Sequence, residues 1–393
     1  MFAQWHERTL NELVTLQRGF DITKAEQRDG PYPVISSSGV KSTHAEYKVE
    51  GPGVIIGRKG SLGTVFYSAT PFWPHDTTLW VKAFHGNDPR FCFYFLKTMG
   101  FEQYDVGASN PTLNRNHVHG LPVRIPPLDV QRRIAGILSA YDDLIENNTR
   151  RIAILEEMAR RLYEEWFVHF RFPGHESTPI LDTRNGPLPE GWERCKVSEA
   201  AEYVNRGIAP KYAENGPSLV INQKCIRDQR LSLGPARRQQ RAIPDAKQVC
   251  LGDVLINSTG VGTLGRVAQV WEELPETTVD THVTIVRPRA DVDHWYFGAA
   301  LLALQPFFED AGVGSTGQTE LSRTRIGEVD IVVPQRNIQM TFAANVERNR
   351  LACINLAKQN ANLRAQRDLL LPKLISGEID VAATEEALPV AAE

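Results

Sequence analysis

The sequence predicts an α+β fold: two similar globular domains joined by two long helices that pair as an antiparallel coiled coil, the whole forming a pseudo-twofold internal repeat. Three observations predict it. The chain repeats itself, each copy opens with short β-type runs separated by turn residues, and each copy closes on a long helical stretch with heptad spacing. Residues 113–135 and 321–343 align without a gap at an offset of 208 residues. Leu113 and Arg115 meet Leu321 and Arg323, Val118 meets Ile326, Pro126 meets Pro334, and Gln131 meets Gln339. Upstream, Trp5, Leu10, Glu12 and Gly19 meet Trp192, Val197, Glu199 and Gly207. GVIIGRKGSLGTV at 53–65 meets GDVLINSTGVGTLGRV at 252–267, and HDTTLWV at 75–81 meets VDTHVTIV at 279–286.

The elements follow in chain order. Residues 1–128 form the first globular domain, whose runs VIIG, TVFY and TLWVKAF read as strands between Gly, Pro, Asn and Asp turns, with RFCFYFLKTM as a helix on that sheet. Residues 129–172 form the first long helix and 173–189 a Pro- and Gly-rich linker. The second globular domain, 190–336, repeats the plan with DVLIN, RVAQVW and VTIVRP, and with HWYFGAALLALQPFF as its helix. Residues 337–380 form the second long helix and 381–393 a flexible tail.

Along the first helix the seam reads Ile134, Ile137, Tyr141, Leu144, Asn148, Arg151, Leu155, Met158 and Leu162. Adding 208 gives Phe342, Asn345, Asn349, Ala352, Leu356, Gln359, Leu363, Gln366 and Leu370, a more polar seam with leucines seven apart. Asp129 and Asn337 are the expected N-caps, with Pro173-Gly174 and Ser376-Gly377 as the stops. So narrow an apolar stripe needs cover, and the equivalent helix of the other copy supplies it.

Composition narrows the class. With 42% hydrophobic and 23% charged residues and a net charge of -3, this is an ordinary globular chain without a basic bulk. Any nucleic-acid binding must use local patches such as RDQRLSLGPARRQQR at 227–241. No stretch approaches a membrane span and the start lacks a signal-peptide layout, so a cytoplasmic protein is expected. Five scattered cysteines without a CxxC pair suggest neither a disulfide framework nor a zinc site.

The stretch GRKGSLG at 57–63 resembles a phosphate cradle, but it fits neither the Walker pattern nor the dinucleotide fingerprint. Flanked by strands, its glycines serve a tight turn with positive φ, leaving Arg58, Lys59 and Ser61 at the tip. The second copy carries Asn257, Ser258, Thr259, Thr263 and Arg266 in the matching loop. Asp29 with Glu46-Tyr47-Lys48 imitates a nuclease triplet but has no counterpart in the second copy. Asn110-Pro111-Thr112-Leu113 lacks the second proline and the aromatic residue of a base-methylating motif. His117 and His119 read as solvated or capping histidines, and no metal site is expected. From the residues alone, a two-lobed DNA-modifying enzyme acting by itself and a coiled-coil scaffold for protein partners both remain open.

Two divergent domains that open on Trp-x-x-x-x-Leu, carry a G(D)VLI…G-x-x-G loop and a threonine-rich strand, and end in L-[NS]-R…P before a long helix resemble the specificity subunits of type I restriction-modification enzymes. The resemblance spans nearly the whole chain. It implies a non-catalytic subunit in which each globular domain is a target recognition domain for one half of a split DNA sequence. The paired helices would act as spacer and docking surface for two adenine methyltransferase subunits. Those subunits bind S-adenosylmethionine, this chain having no cofactor of its own, and motor-nuclease restriction subunits join them. Base readout needs paired donors and acceptors beside phosphate-binding cations. Candidates in the first domain are Arg58, Lys59, Ser61, Asn110, Thr112, Asn114 and Arg115; in the second they are Asn222, Gln223, Lys224, Ser258, Thr259, Arg266, Gln318, Ser322 and Arg323. Arg115 and Arg323 have a structural alternative, packing their stems under the sheet. Because the two loops differ in content, an asymmetric bipartite target is expected.

Overall fold

The computed structural model describes residues 5–104, 112–311 and 320–381. The chain divides into two compact units, one made of residues 1–149 and 358–393, the other of 150–357. The cuts in the two long helices lie 208 residues apart, which is the offset of the sequence repeat.

The first unit holds an antiparallel four-stranded sheet in the order Thr15–Arg18, Thr78–Ala83, Gly53–Gly57, Val65–Ser68. A three-stranded sheet runs Gly39–His44, Tyr32–Ser36, Trp73–Pro74, its last pair parallel. His6–Thr9 pairs with Pro122–Ile125. The second unit repeats this order strand for strand: Ala201–Arg206, Val283–Pro288, Val254–Asn257, Val267–Gln269, then Arg237–Gln239, Ser218–Ile221, Thr277–Val279, and the pair Glu193–Lys196 with Asp330–Val333.

Period-two alternation explains the layering. Val54 and Ile56 face the core containing Phe91 and Phe95 of the helix Pro89–Lys97, whereas Ile55 faces Ile35 and Phe72. In the second unit Val254 and Ile256 face Tyr296 and Leu301 of the helix His294–Ala303, and Leu255 faces Ile221 and Ile285. Both central strands are therefore buried on both faces, which is why VII at 54–56 and VLI at 254–256 run apolar without polar alternation.

The long helices span Leu128–Tyr163 and Arg336–Ser376 and pack antiparallel. Within the first unit, Asn148 Nδ2 donates to Asn360 Oδ1 at 3.1 Å, Asn360 Nδ2 donates to Ile145 O at 3.3 Å, and Arg367 is bonded to Asp142. Within the second, Ile152 packs with Cys353 and Leu356, while Tyr163 and Trp166 sit against Phe342 with ring centroids 6.4 and 5.9 Å away. Each unit thus closes its core with the far end of the other copy's helix. Leu371, Leu374 and Ile375 join Leu10, Leu13 and Ile134 in the first unit. Trp166 and Phe167 join Trp192 and Phe342 in the second.

The seam differs in phase from the sequence reading. Ile134, Phe342 and Leu356 are buried, and Ile137, Tyr141, Leu155, Leu162, Leu363 and Leu370 are half-buried. Leu144 and Met158, however, are 52% and 53% exposed, and their neighbours Ile145 and Ala159 take the seam. The same one-residue advance puts Ile152, Val346, Cys353 and Asn360 inside in place of Arg151, Asn345, Ala352 and Gln359. The stripe steps four then three where three then four was expected, and it does so in both copies.

The helix ends are corrected too. Asp129 and Asn337 lie within the first turns, because each helix begins one residue earlier. The first helix passes into a single π-turn over Glu164–Val168 and stops at Phe170, whose φ is 57°, before Pro173-Gly174 is reached. Gly377, at φ 77°, does end the second helix; a Cβ there would come within 2.8 Å of the Trp5 ring. No helix among the described residues is long and apolar enough to cross a membrane.

Candidate nucleic-acid interface

The two polar loops hang on one hydrogen-bond frame. In the first lobe Gly57 N–H donates to Thr64 O at 2.7 Å, Arg58 N–H to Thr77 O at 2.8 Å, and Leu113 N–H to Arg58 O at 3.0 Å. In the second, Asn257 N–H donates to Arg266 O at 2.9 Å, Ser258 N–H to His282 O at 2.8 Å, and Leu321 N–H to Ser258 O at 2.9 Å. Lys59 bridges Thr112 as Thr259 bridges Glu320. Positive φ at Gly60 and Gly63, and at Gly260, Gly262 and Gly265, makes both turns, as the glycine spacing predicts.

Beneath each loop the chain crosses at close range. A Cβ on Gly19 would meet His75 O at 2.1 Å, and one on Gly207 would meet Val279 O at 1.8 Å. The backbone pairing beside these glycines fixes the register of the Asp-Thr segments. Aligning the shared dipeptide pairs Asp76 with Asp280, but the bridges pair Phe20 with His75 and Ile208 with Asp280, so His75 and Asp280 are equivalent and His282 stands where Thr77 does.

On this common frame the side chains diverge. In the first lobe Arg58 is half-buried, with Nη1 3.5 Å from Asp76 O; partial burial and then the nearby Arg18 lower its pKa, Asp76 opposing. Arg18 reaches Asp76 at 3.3 Å, and His75 Nδ1 lies 2.9 Å from the same carboxylate and 3.0 Å from Thr77 Oγ1. Lys59, Ser61 and Arg115 are exposed, Thr112 is half-buried beside Lys59, and Asn114 caps the helix Arg115–Val118 by accepting from Asn116 N–H. His119 Nε2 accepts the N–H of Leu16, in the strand Thr15–Arg18, at 3.0 Å, and His117 is exposed.

In the second lobe Ser258, the counterpart of Arg58, is 0% exposed and its hydroxyl is bonded to Thr284 Oγ1 at 2.6 Å. It is a structural residue and cannot touch a base. Thr259 Oγ1 is 2.6 Å from His282 Nδ1, and Arg266 folds back onto Gly262 O at 2.7 Å. Asn257 Nδ2 ties Gln223 O to Thr263 O, which brings the Asn222–Lys224 turn against the loop. Asn222 is spent on that turn, accepting from Lys224 N–H and donating to Pro235 O, while Lys224 is exposed. Ser322 caps the helix Arg323–Gly327, and Arg323 donates to Asn205 Oδ1 at 2.6 Å. Asn110 and Gln318 lie outside the described residues.

Sequence reasoning missed Arg18 and Arg206, which flank the loops from the first strand of each four-stranded sheet. Arg206 donates to Glu320 Oε1 at 2.6 Å, beside Thr259. Their signal was present in the repeat, as an Arg-Gly dipeptide at 18–19 and again at 206–207. Among the described residues no group of His, Cys, Asp or Glu could hold a metal ion.

Residues 3–157 match the family described as Type I restriction modification DNA specificity domain. The chain is 25% identical over 344 residues to the MjaIX specificity subunit of Methanocaldococcus jannaschii, covering 84% of this chain and 78% of that one. Over most of its length the chain is thus similar to the specificity subunits of type I restriction-modification enzymes. A second relative in this family, the HindI specificity subunit of Haemophilus influenzae, is 21% identical over 364 residues, 74% of this chain and 77% of its own. The crystal structure of the specificity subunit from M. genitalium shares the fold, with a TM-score of 0.62 at 18% identity, over 95% of this chain and 96% of that one.

Proposed function

We propose that this chain is a type I specificity subunit that reads an asymmetric bipartite DNA target, one half with each lobe, and brings adenine methyltransferase and restriction subunits to it in the cytoplasm. The reading loops carry this proposal. One backbone frame occurs twice and holds Arg58 and Lys59 in the first lobe but Thr259, His282 and Arg266 in the second, so two half-sites are engaged by unlike donor sets. Arg58 pairs with guanine N7 and O6 in the manner open to a guanidinium, and Lys59 and Arg115 hold phosphates. Methyl transfer from S-adenosylmethionine belongs to the methyltransferase partners; this chain supplies position. The long helices set the spacing between the half-sites.

Methylation-sensitive sequencing of DNA from cells carrying this chain and its methyltransferase partner tests both the asymmetry of the target and the spacing role of the helices. A single motif with two unlike halves is expected. Adding one heptad to both long helices, at residues 150 and 358, should return the same halves with a spacer longer by about three base pairs, from ~1.5 Å per helical residue. A palindromic motif, or an unchanged spacer, overturns the corresponding part.

A further inference from the structure

The basic stretch 227–241 divides in space. Arg227 lies 3.6 Å from the neighbouring Asp228, and Arg230 is bonded to Glu156 of the first long helix, so each of these two cations has an acid beside it. Arg237, Arg238 and Arg241 sit on the strand Arg237–Gln239 and just beyond it, all exposed. A neighbouring segment brings Lys211 to them: Gln240 N–H donates to Lys211 O at 3.0 Å, Ala213 N–H to Arg238 O at 3.1 Å, and Tyr212 bridges Gln239.

Each arginine is pre-set. The Arg237 guanidinium lies 3.8 Å over the Tyr212 ring, Arg238 Nη1 donates to Gly216 O at 3.1 Å, and Arg241 Nη1 donates to Ala209 O at 3.0 Å. Side chains already held in place lose less freedom on binding. The same segment is continuous with the reading loop, since Gly207 N–H donates to Val283 O and Ile208 bridges Asp280, two residues from His282. Within residues 208–215 and 237–241, four cations face one acid, Glu214. The equivalent stretches of the first lobe, 20–27 and 39–44, balance Lys24 and Lys41 with Asp21 and Glu26.

We propose that Lys211, Arg237, Arg238 and Arg241 form a phosphate clamp beside the second reading loop, binding the DNA sugar-phosphate backbone of that half-site, with no equivalent in the first lobe. The inference rests on the DNA-reading function above and adds a division of labour: the second lobe supplies the larger share of the phosphate contacts. Phosphate contacts leave a salt signature, because each neutralised phosphate releases a counterion and steepens the fall of log affinity with log salt by about 0.9.

The test measures binding of the full-length chain to a 30-base-pair duplex bearing the sequenced motif, and to a scrambled duplex, over a series of KCl concentrations. The triple variant Arg237→Gln, Arg238→Gln, Arg241→Gln should flatten the slope by about 2 to 3 on both duplexes while leaving the methylated sequence unchanged. Lys211→Gln, a single exposed change that spares every contact described, should flatten it by about 0.9, and Arg237→Lys should preserve it. The double variant Arg227→Gln, Arg230→Gln should leave the slope as it is. A wild-type slope in both the triple variant and Lys211→Gln, or an equal loss in the double variant, overturns the clamp while the reading function stands. A wild-type chain that binds the two duplexes equally overturns the reading function, and a wild-type chain that binds neither overturns both.

Discussion

The loops 57–64 and 257–266 differ in length by two residues and share no polar side chain at equivalent frame positions, yet the main-chain hydrogen bonds at their bases correspond. The difference teaches where variation is tolerated. Backbone donors and acceptors under the loop are committed to Thr77, His282, Leu113 and Leu321, so a substitution at the tip changes what is read without changing what is held. The frame itself is unforgiving, and it is unforgiving equally in both lobes.

The largest effect should therefore come from the shared glycines. Gly19→Ala and Gly207→Ala force a Cβ against backbone carbonyl oxygens and should each cost about 3 kcal/mol, read by urea denaturation. Comparable losses would sharpen the equivalence of the lobes; a neutral change in either would break it. Next comes the pair at the loop base. Arg58→Ala should cost about 1–3 kcal/mol of discrimination at one half-site, measured by competition with base-substituted duplexes, with the other half unaffected. Ser258→Ala, its frame equivalent, should cost about 1 kcal/mol of stability through loss of the Thr284 bond and leave base preference intact. A changed half-site preference in Ser258→Ala would return that residue to the reading surface.

The smallest predicted effect separates the lobes by pH. His119 accepts Leu16 N–H, and burial, with Arg115 adding, lowers its pKa from 6.5. A histidine whose folded pKa is depressed favours folding while neutral, so its contribution is complete above about pH 6.5 and is lost as pH falls below that. At the equivalent position the second lobe has Gly327. Amide exchange at Leu16 should accelerate relative to that at Val204 on acidification from pH 7.5 to 5.5, by the equivalent of about 1 kcal/mol, and His119→Gln should remove the difference. Parallel behaviour of the two amides would contradict the assignment.

Much of the fold was legible because its causes are local. GVIIG and DVLIN announce doubly buried strands, and Gly377 announces a helix stop. The seam phase was legible only in part. Ile134, Tyr141, Asn148 and Leu155 belong to either ladder, and adjacent apolar pairs such as Ile137-Leu138 and Leu144-Ile145 fit both. Weighing the copies together would have settled it, since Ile152, Val346 and Cys353 lie on one ladder against Arg151, Asn345 and Ala352 on the other. The site was less legible. Nothing about a serine in a polar loop says that a threonine 26 residues away will bury it, and the Asp-Thr match between copies pointed one residue off the true register. The same limit hid the split of the 227–241 cations, which depends on Glu156 from a distant helix.

The discontinuity of the first unit has a consequence for biosynthesis. Residues 150–357 are contiguous, so that unit has all its material before Leu371, Leu374 and Ile375, which the unit begun by residues 1–149 needs for its core, leave the ribosome. The usual order, in which the amino-terminal part matures first, is reversed. Of the two units, the one begun first is closed second, and a chain cut short before residue 371 leaves that earlier lobe without its cover.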